Sequence, residues 1–274
     1  MTTLVAWTGA DSHGTASLYV ASDSRASWDI GGGRKRTWDH CRKVFVLPGR
    51  PDVLAYCGPI VLLSHTLAAL VDQIALGYVP YAPTSRERFQ NLSIRLRGAH
   101  EAYPAEQLSP YTVLYATRDG EGRPASFHAF AASWRTGGWH TQELPAQRTS
   151  DIVWVDGSGA DAASKWIQRW RAGDVSGRTS RSIFSGFCDS LHSGEDPNSG
   201  GAPQLAALYR AQNAEILGTI WRGARYLMGT PDGLNGVNPS SIEWRDNLFQ
   251  RCDGTTLERL PNAKRHARPR ALEP

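Results

Sequence analysis

Met1-Thr2-Thr3-Leu4-Val5-Ala6-Trp7 opens the chain, and the reading of everything after it turns on these residues. Removal of Met1, the usual outcome before a residue as small as Thr, would put a hydroxyl and a terminal α-amine on the same residue, Thr2. A Thr hydroxyl alone is a weak nucleophile, because almost none of it is ionised at neutral pH. An α-amine titrates near 8, so roughly a tenth of it is unprotonated at pH 7 and can accept the hydroxyl proton. Taken by itself, Met-Thr-Thr also reads as an ordinary chain start. The rest of the sequence changes that.

Leu4 to Trp7 and Ser17 to Ser22 are short apolar runs around the turn-rich Gly9 to Gly14, which predicts a hairpin. The second strand runs into Asp23-Ser24-Arg25-Ala26-Ser27, a polar cluster that reads equally as a pocket wall or a capped turn. The basic, glycine-rich Gly31 to Arg36 lacks the Gly-Lys-Ser/Thr ending of a phosphate-binding loop. A second hairpin is predicted from Arg42 to Leu47 and Val53 to Gly58, with Pro59 opening a helix. From local sequence alone Lys43 is a surface lysine that lays its stem along apolar neighbours.

Apolar residues at helical spacing predict one helix over 60–77 and another from Thr84 or Ser85 towards Tyr103. Tyr111 to Thr117, Ala125 to Ala132 and Gly138 to Leu144 read as a three-stranded meander. Ile152 to Val155 is a strand running into Asp156-Gly157-Ser158-Gly159-Ala160-Asp161-Ala162, which matches a dinucleotide-binding fingerprint. The flanking units are hairpins rather than a strand-helix-strand series, so a tight turn at a helix start is the better reading. Helices follow from Ala160 to about Ala172 and around Ser180 to Leu191. Asp196-Pro197-Asn198-Ser199-Gly200-Gly201 then forms a compact polar turn ahead of Gln204 to Tyr209. Its carboxylate and hydroxyl can reach a shared partner.

Composition excludes several classes. The chain is long enough for one sizeable core, and net charge is +4, with much of the basic excess in Arg34-Lys35-Arg36 and the stretch from Lys264 to Arg270. That is too little and too local for nucleic acid. Four scattered cysteines and eight histidines show neither Cys-x-x-Cys nor His-Glu-x-x-His, so neither a metal site nor a cofactor is implied. No apolar run approaches a membrane span and no export signal is evident, which points to a reducing cytoplasm.

The element order, strands then two helices, twice over and closing on strands, suggests an α+β fold. Two antiparallel sheets would stack face to face with helices outside, the four-layer αββα sandwich of N-terminal nucleophile hydrolases. Six motifs narrow this: Thr2-Thr3-Leu4-Val5, Val20 to Ser27, Arg42-Lys43-Val44, Ala55-Tyr56-Cys57-Gly58, Asp156-Gly157-Ser158-Gly159 and Asp196 to Gly201. They fall in the order seen in proteasome β-type subunits. The chain resembles these subunits and their bacterial relatives, the peptidase rings that work with an ATP-driven unfoldase, over roughly residues 2 to 228.

The resemblance implies Thr2 as nucleophile and its own amine as proton acceptor. Lys43 would be the buried cation beside them, held by Asp23, and its charge would lower the amine's pKa towards the working pH. The Gly58 amide would donate to the oxyanion, while Ser158, Asp196 and Ser199 would orient the amine and a hydrolytic water. It further implies a polypeptide substrate, a homo-oligomeric ring and an ATP-dependent unfoldase as candidate partner, with no nucleic acid and no membrane. The hydrolase domain would span 1–229, and 230–274 would be an extension, loosely structured or interface-forming. Departures from the pattern are a longer first hairpin, Pro59 where a second glycine is general, and a start at Met1-Thr2 with no propeptide. A small-molecule amidase or acylase using the same Thr2 chemistry, and a non-catalytic assembly subunit, are the rival readings.

Overall fold

The computed structural model describes residues 2–136, 138–173, 177–231 and 239–272; Met1, whose removal the sequence reading requires, lies outside them. The chain runs through β1 (Leu4–Asp11), β2 (Gly14–Ser22), β3 (Ala26–Asp29), β4 (Lys35–Trp38), β5 (Val44–Val46) and β6 (Asp52–Cys57). Helices α1 (Ile60–Ala75) and α2 (Ser85–Ala102) follow, then β7 (Tyr111–Asp119), β8 (Ser126–Arg135), β9 (Gly138–Leu144) and β10 (Ile152–Asp156). After α3 (Ala160–Gly173) and α4 (Ser180–Ser193) come β11 (Gln204–Tyr209), β12 (Glu215–Trp221), β13 (Ala224–Leu227) and β14 (Thr230–Pro231). Two short strands, β15 (Trp244–Asp246) and β16 (Arg251–Cys252), complete the series.

Among the described residues these strands form a nine-stranded sheet, ordered β10-β1-β2-β11-β12-β13-β14 with β15 beside β12 and β16 beside β15, and a five-stranded sheet, β5-β6-β7-β8-β9. Strand alternation shows how each sheet is used. Leu4, Ala6, Leu18 and Val20 of the first sheet share a buried cluster with Val44, Val53, Ala55 and Leu114 of the second. Their neighbours in sequence, Val5, Trp7, Tyr19 and Ala21, point the other way and pack with Ile167, Ile183, Phe184 and Phe187 of α3 and α4. In the second sheet Leu54, Tyr56, Val113 and Tyr115 likewise pack with Leu63, Leu67, Phe89 and Leu92 of α1 and α2. With a side-chain period of two, strands buried on both faces read as continuous apolar runs, which is what β1 and β6 are.

The helices start where local chemistry puts them. Thr84 caps α2 by accepting from the Glu87 N–H, and the Glu87 side chain reaches back to the Thr84 N–H. Thr179 and Ser182 do the same for α4, which ends at Gly194 with φ 65. One stretch differs from the sequence reading. The Gly31 to Arg36 loop is part of an additional hairpin, β3–β4, a small sheet of its own in which Lys35 and Arg36 pair with Asp29 and Trp28 and the glycines form the turn. Residues 239–272 run against the first sheet: β15 pairs in parallel with β12, and Phe249 is buried among Trp7, Tyr19 and Phe184. No helix among the described residues is long and apolar enough to cross a membrane.

Candidate active site

Strand register decides what surrounds the N-terminal residues. β1 lies between β2 and β10, with Leu4 opposite both Ser22 and Asp156. Thr2 and Thr3, just ahead of Leu4, therefore meet the residues just past β2 and just past β10, namely Asp23 and the Gly157-Ser158-Gly159 turn. Ser22 is also opposite Gln204, so the segment leading into β11, Asp196 to Pro203, enters the same corner. In the second sheet Val44 pairs with Ala55, and the Lys43 carbonyl accepts from the Tyr56 N–H at 3.2 Å, which sets Lys43 and Gly58 at one end of that sheet. The cluster shared by both sheets holds those ends face to face.

The side chains brought together form one hydrogen-bonded set. Lys43 and Asp23 are wholly buried, and Lys43 Nζ donates to Asp23 Oδ1 at 2.8 Å. The same oxygen accepts from the Thr3 N–H at 3.0 Å, so the ammonium stands at most two hydrogen-bond lengths from the Thr2–Thr3 peptide. Asp23 Oδ2 accepts from the main-chain N–H groups of Arg25 and Gly200, each at 3.0 Å. The burial of Lys43 is the reverse of the surface position that local sequence alone assigns it, and the Asp23 carboxylate is the physical reason.

A second carboxylate organises the other side. Asp196 Oδ2 accepts from Ser158 Oγ and Ser199 Oγ, both at 2.7 Å, and Ser158 Oγ in turn accepts from the Thr2 nitrogen at 3.2 Å. Burial alone would raise the Asp196 pKa, but the hydroxyls of Ser199 and Ser158 and the Asn198 donors outweigh it and hold the carboxyl below its ordinary range. Thr3 Oγ1 donates to Ser199 Oγ at 2.7 Å.

Thr2, Asp23, Lys43, Ser158, Asp196 and Ser199 are thus linked directly or through Thr3. Gly58 shares with Ser158 a cleft of about 250 Å3, lined also by Cys57, Tyr111, Arg135 and Gly157 among others; the other five of the set do not line it. Gly58 has φ 138, and a Cβ there would stand 2.3 Å from Tyr111 Cβ, so the wall is closed to any larger residue. Burial and the nearby Asp156 push the Cys57 thiol up to about 12, leaving it protonated and inert at neutral pH. A wider depression of about 960 Å3, outside α3 and α4, shares no lining residue with this set.

Three further residues belong to the arrangement and were not singled out from the sequence. Thr3 carries a second hydroxyl beside the first, a signal available at the outset. Arg25 pairs with Asp39 through Nε and Nη2, at 2.7 and 2.9 Å, and reaches the carbonyls of Pro197 and Ser199. Nothing near Asp39 in sequence announces it. Gln204 is a lone buried amide opening an apolar strand, and its polarity there was the legible clue.

Comparison with protein-family models finds no matching family, and comparison with curated proteins finds no match. Solved structures do match. Anbu from Pseudomonas aeruginosa, in a helical assembly of the Anbu complex, gives a TM-score of 0.55 at 16% identity over 78% of this chain and 85% of that one. A Gly-1 mutant of Anbu from Hyphomicrobium sp. strain MC1 gives 0.52 at 12% identity, covering 79% and 87%. Anbu from Yersinia bercovieri, described as an ancestral beta-subunit, gives 0.50 at 13% identity, covering 75% and 81%. The chain is therefore similar in fold to these Anbu structures, mixed α+β with four α-helices among the described residues.

Proposed function

We propose that this protein is a threonine-type amide hydrolase that cuts peptide bonds with Thr2 once Met1 is removed. One observation carries the reading: the wholly buried Lys43–Asp23 pair shares a carboxylate oxygen with the N–H that follows Thr2, while the Thr2 nitrogen is tied through Ser158 to Asp196. A buried ion pair is costly to build, and one placed against a chain terminus is economically explained by chemistry at that terminus.

In this reading the Thr2 hydroxyl oxygen attacks the substrate carbonyl carbon and its proton passes to the Thr2 amine. The Lys43 ammonium keeps that amine largely unprotonated, because a nearby positive charge disfavours a second one. The oxygen of the tetrahedral intermediate takes a hydrogen bond from the Gly58 N–H; such a donor is worth about 3 kcal/mol of transition-state stabilisation. Collapse breaks the C–N bond, and the leaving amine takes the proton back. Water, activated by the same amine, then hydrolyses the Thr2 ester. Ser158, Ser199 and Asp196 orient the amine throughout.

The same proposal includes the αββα layering, supported by the three buried clusters, one between the sheets and one under each helix pair. It also includes a homo-oligomer, supported by the helical assembly of the Pseudomonas Anbu; electron microscopy of the purified protein distinguishes an open helix from a closed ring. The deciding experiment joins intact mass and N-terminal sequencing of protein from its own host to peptide turnover. Protein starting at Thr2 should cleave peptides, and Thr2→Ala should abolish turnover with fold and assembly unchanged. Activity that survives Thr2→Ala defeats the reading, and retention of Met1 favours an assembly subunit instead.

A further inference from the structure

We propose that Gln204 is the positioning residue that holds Lys43 in place beside Asp23. This rests on the Thr2 chemistry proposed above. Gln204 is the first residue of β11, and its side chain is wholly buried. Its Oε1 accepts from the main-chain N–H of Lys43 at 2.9 Å and of Val44 at 3.3 Å. Its Nε2 donates to the carbonyls of Asp23 at 3.0 Å and Cys41 at 2.8 Å. A primary amide offers two acceptor sites and two donors, and all four are used here. The orientation is fixed by the partners: turning the amide over would set its NH2 against two N–H groups and its oxygen against two carbonyls.

The side chain joins three segments. Two of them, at Asp23 and Gln204, also meet in the β2–β11 ladder, while the one at Cys41 is tied to the first by its N–H donating to the Ser24 carbonyl at 2.9 Å. Asp23 follows β2, Cys41 to Val44 lead into β5, and Gln204 itself opens β11. Lys43 sits just ahead of a three-residue strand, so β5 alone holds the backbone on which the ammonium depends weakly. Gln204 ties that backbone directly to the main chain of the residue whose carboxylate Lys43 meets. Every hydrogen-bonding position of its amide is taken by main-chain groups, so it acts through Lys43 and not on substrate.

The shape of the effect follows. A loosened Lys43 withdraws its charge from the Thr2 amine, whose pKa then rises, and higher pH is needed to unmask the base. The charged and titratable groups around that amine are Asp23, Lys43, Arg25, Arg135, Asp156 and Asp196, with the thiols of Cys41 and Cys57; Gln204→Asn leaves that set unaltered, whereas Gln204→Glu adds a carboxylate to it.

The test uses the full chain with Gln204→Glu and Gln204→Asn beside wild type and Thr2→Ala. Glu keeps the shape but cannot donate to the Asp23 and Cys41 carbonyls when ionised; Asn is one methylene too short to reach both pairs. For both variants kcat on a peptide substrate should fall at least about tenfold, within the range that base catalysis contributes. KM should stay within about twofold of wild type, since a group that touches no substrate leaves uniform binding alone. The acid limb of the kcat profile should move to higher pH. A merely structural role would lower the active fraction without moving that limb, and titration of active sites with a Thr-directed covalent inhibitor separates the two. Wild-type kcat and an unmoved acid limb in the uncharged Gln204→Asn, in a preparation where Thr2→Ala is dead, would overturn the role of Gln204 alone. A wild type with no turnover overturns the Thr2 reading and this proposal with it.

Discussion

A methyl group added at Gly157 would stand 2.0 Å from the Thr2 carbonyl oxygen, and one added at Gly159 would stand 2.0 Å from Thr3 Oγ1. Gly157 also has φ 96, a backbone conformation that side chains resist. The turn that resembles a dinucleotide fingerprint is therefore glycine-rich because Thr2 and Thr3 pack against it, with no phosphate needed to explain it. Gly157→Ala should cost about 1–3 kcal/mol of stability from strain. Turnover should fall further, about a hundredfold, because Thr2 must shift for the methyl to fit; comparing denaturant midpoints with kcat separates the two losses. Lys43 poses the converse question. Lys43→Met leaves the Asp23 carboxylate buried without its cation and should cost about 3–5 kcal/mol, whereas adding Asp23→Asn should recover much of it. Urea unfolding of both variants reads the difference, and no recovery in the double variant would mean that Asp23 serves its N–H donors more than it serves Lys43.

At the level of elements, the site is where strand ends coincide. β1, β2, β10 and β11 are neighbours in one sheet, and the residues just outside them, 2–3, 23–25, 157–159 and 196–201, share one edge of it. The sequence showed the strands, because their apolar runs are continuous, and the helix starts, because Thr84 and Glu87 spell a capping box. It hid the β3–β4 hairpin. Those strands are four residues each and carry exposed Trp28 and Trp38, so neither face shows a buried pattern, and the glycines between them dominate the reading. It also hid the depth of Lys43, because a lysine's burial depends on a carboxylate twenty positions earlier. Thr84→Ala should cost about 1 kcal/mol, as cap removal generally does. Activity at 25 °C should be unchanged, since α2 is attached to the far face of the second sheet. A thermal melt with a peptide assay checks both, and a change in kcat would mean that α2 reaches the cleft.

For the molecule as a whole, acid and the chain beyond β14 test how far the parts depend on each other. Asp39 is held below the ordinary aspartate value by Arg25, and Asp196 by its hydroxyl donors against the opposing effect of burial. Each binds its proton more weakly folded than unfolded. Their contribution is complete above the unfolded value, about 3.9, and drains away as pH falls through the lower folded values. Melting temperature should therefore hold from about pH 6 to 5 and drop steeply below about 4, and Arg25→Met should soften that drop by removing the Asp39 share. The second test concerns residues 230–274, an extension in the sequence reading. Phe249 lies 5.3 Å from the ring centres of Tyr19 and Phe184 and 6.2 Å from that of Trp7. Trp7 is on β1, the strand that Thr2 and Thr3 lead into, so the far segment covers the strand beside the proposed nucleophile. Trp244 presses on Gly218 so closely that a Cβ there would meet its ring at 2.3 Å. Phe249→Ala should cost about 3–5 kcal/mol, the usual loss for a large buried aromatic. Ending the chain at residue 229 should cost more, because it bares Trp7 and Tyr19 and removes the parallel partner of β12. Should the 1–229 chain melt at the wild-type temperature and cleave peptides at the wild-type rate, that aromatic cluster is an adornment and the hydrolase unit ends at Gly229.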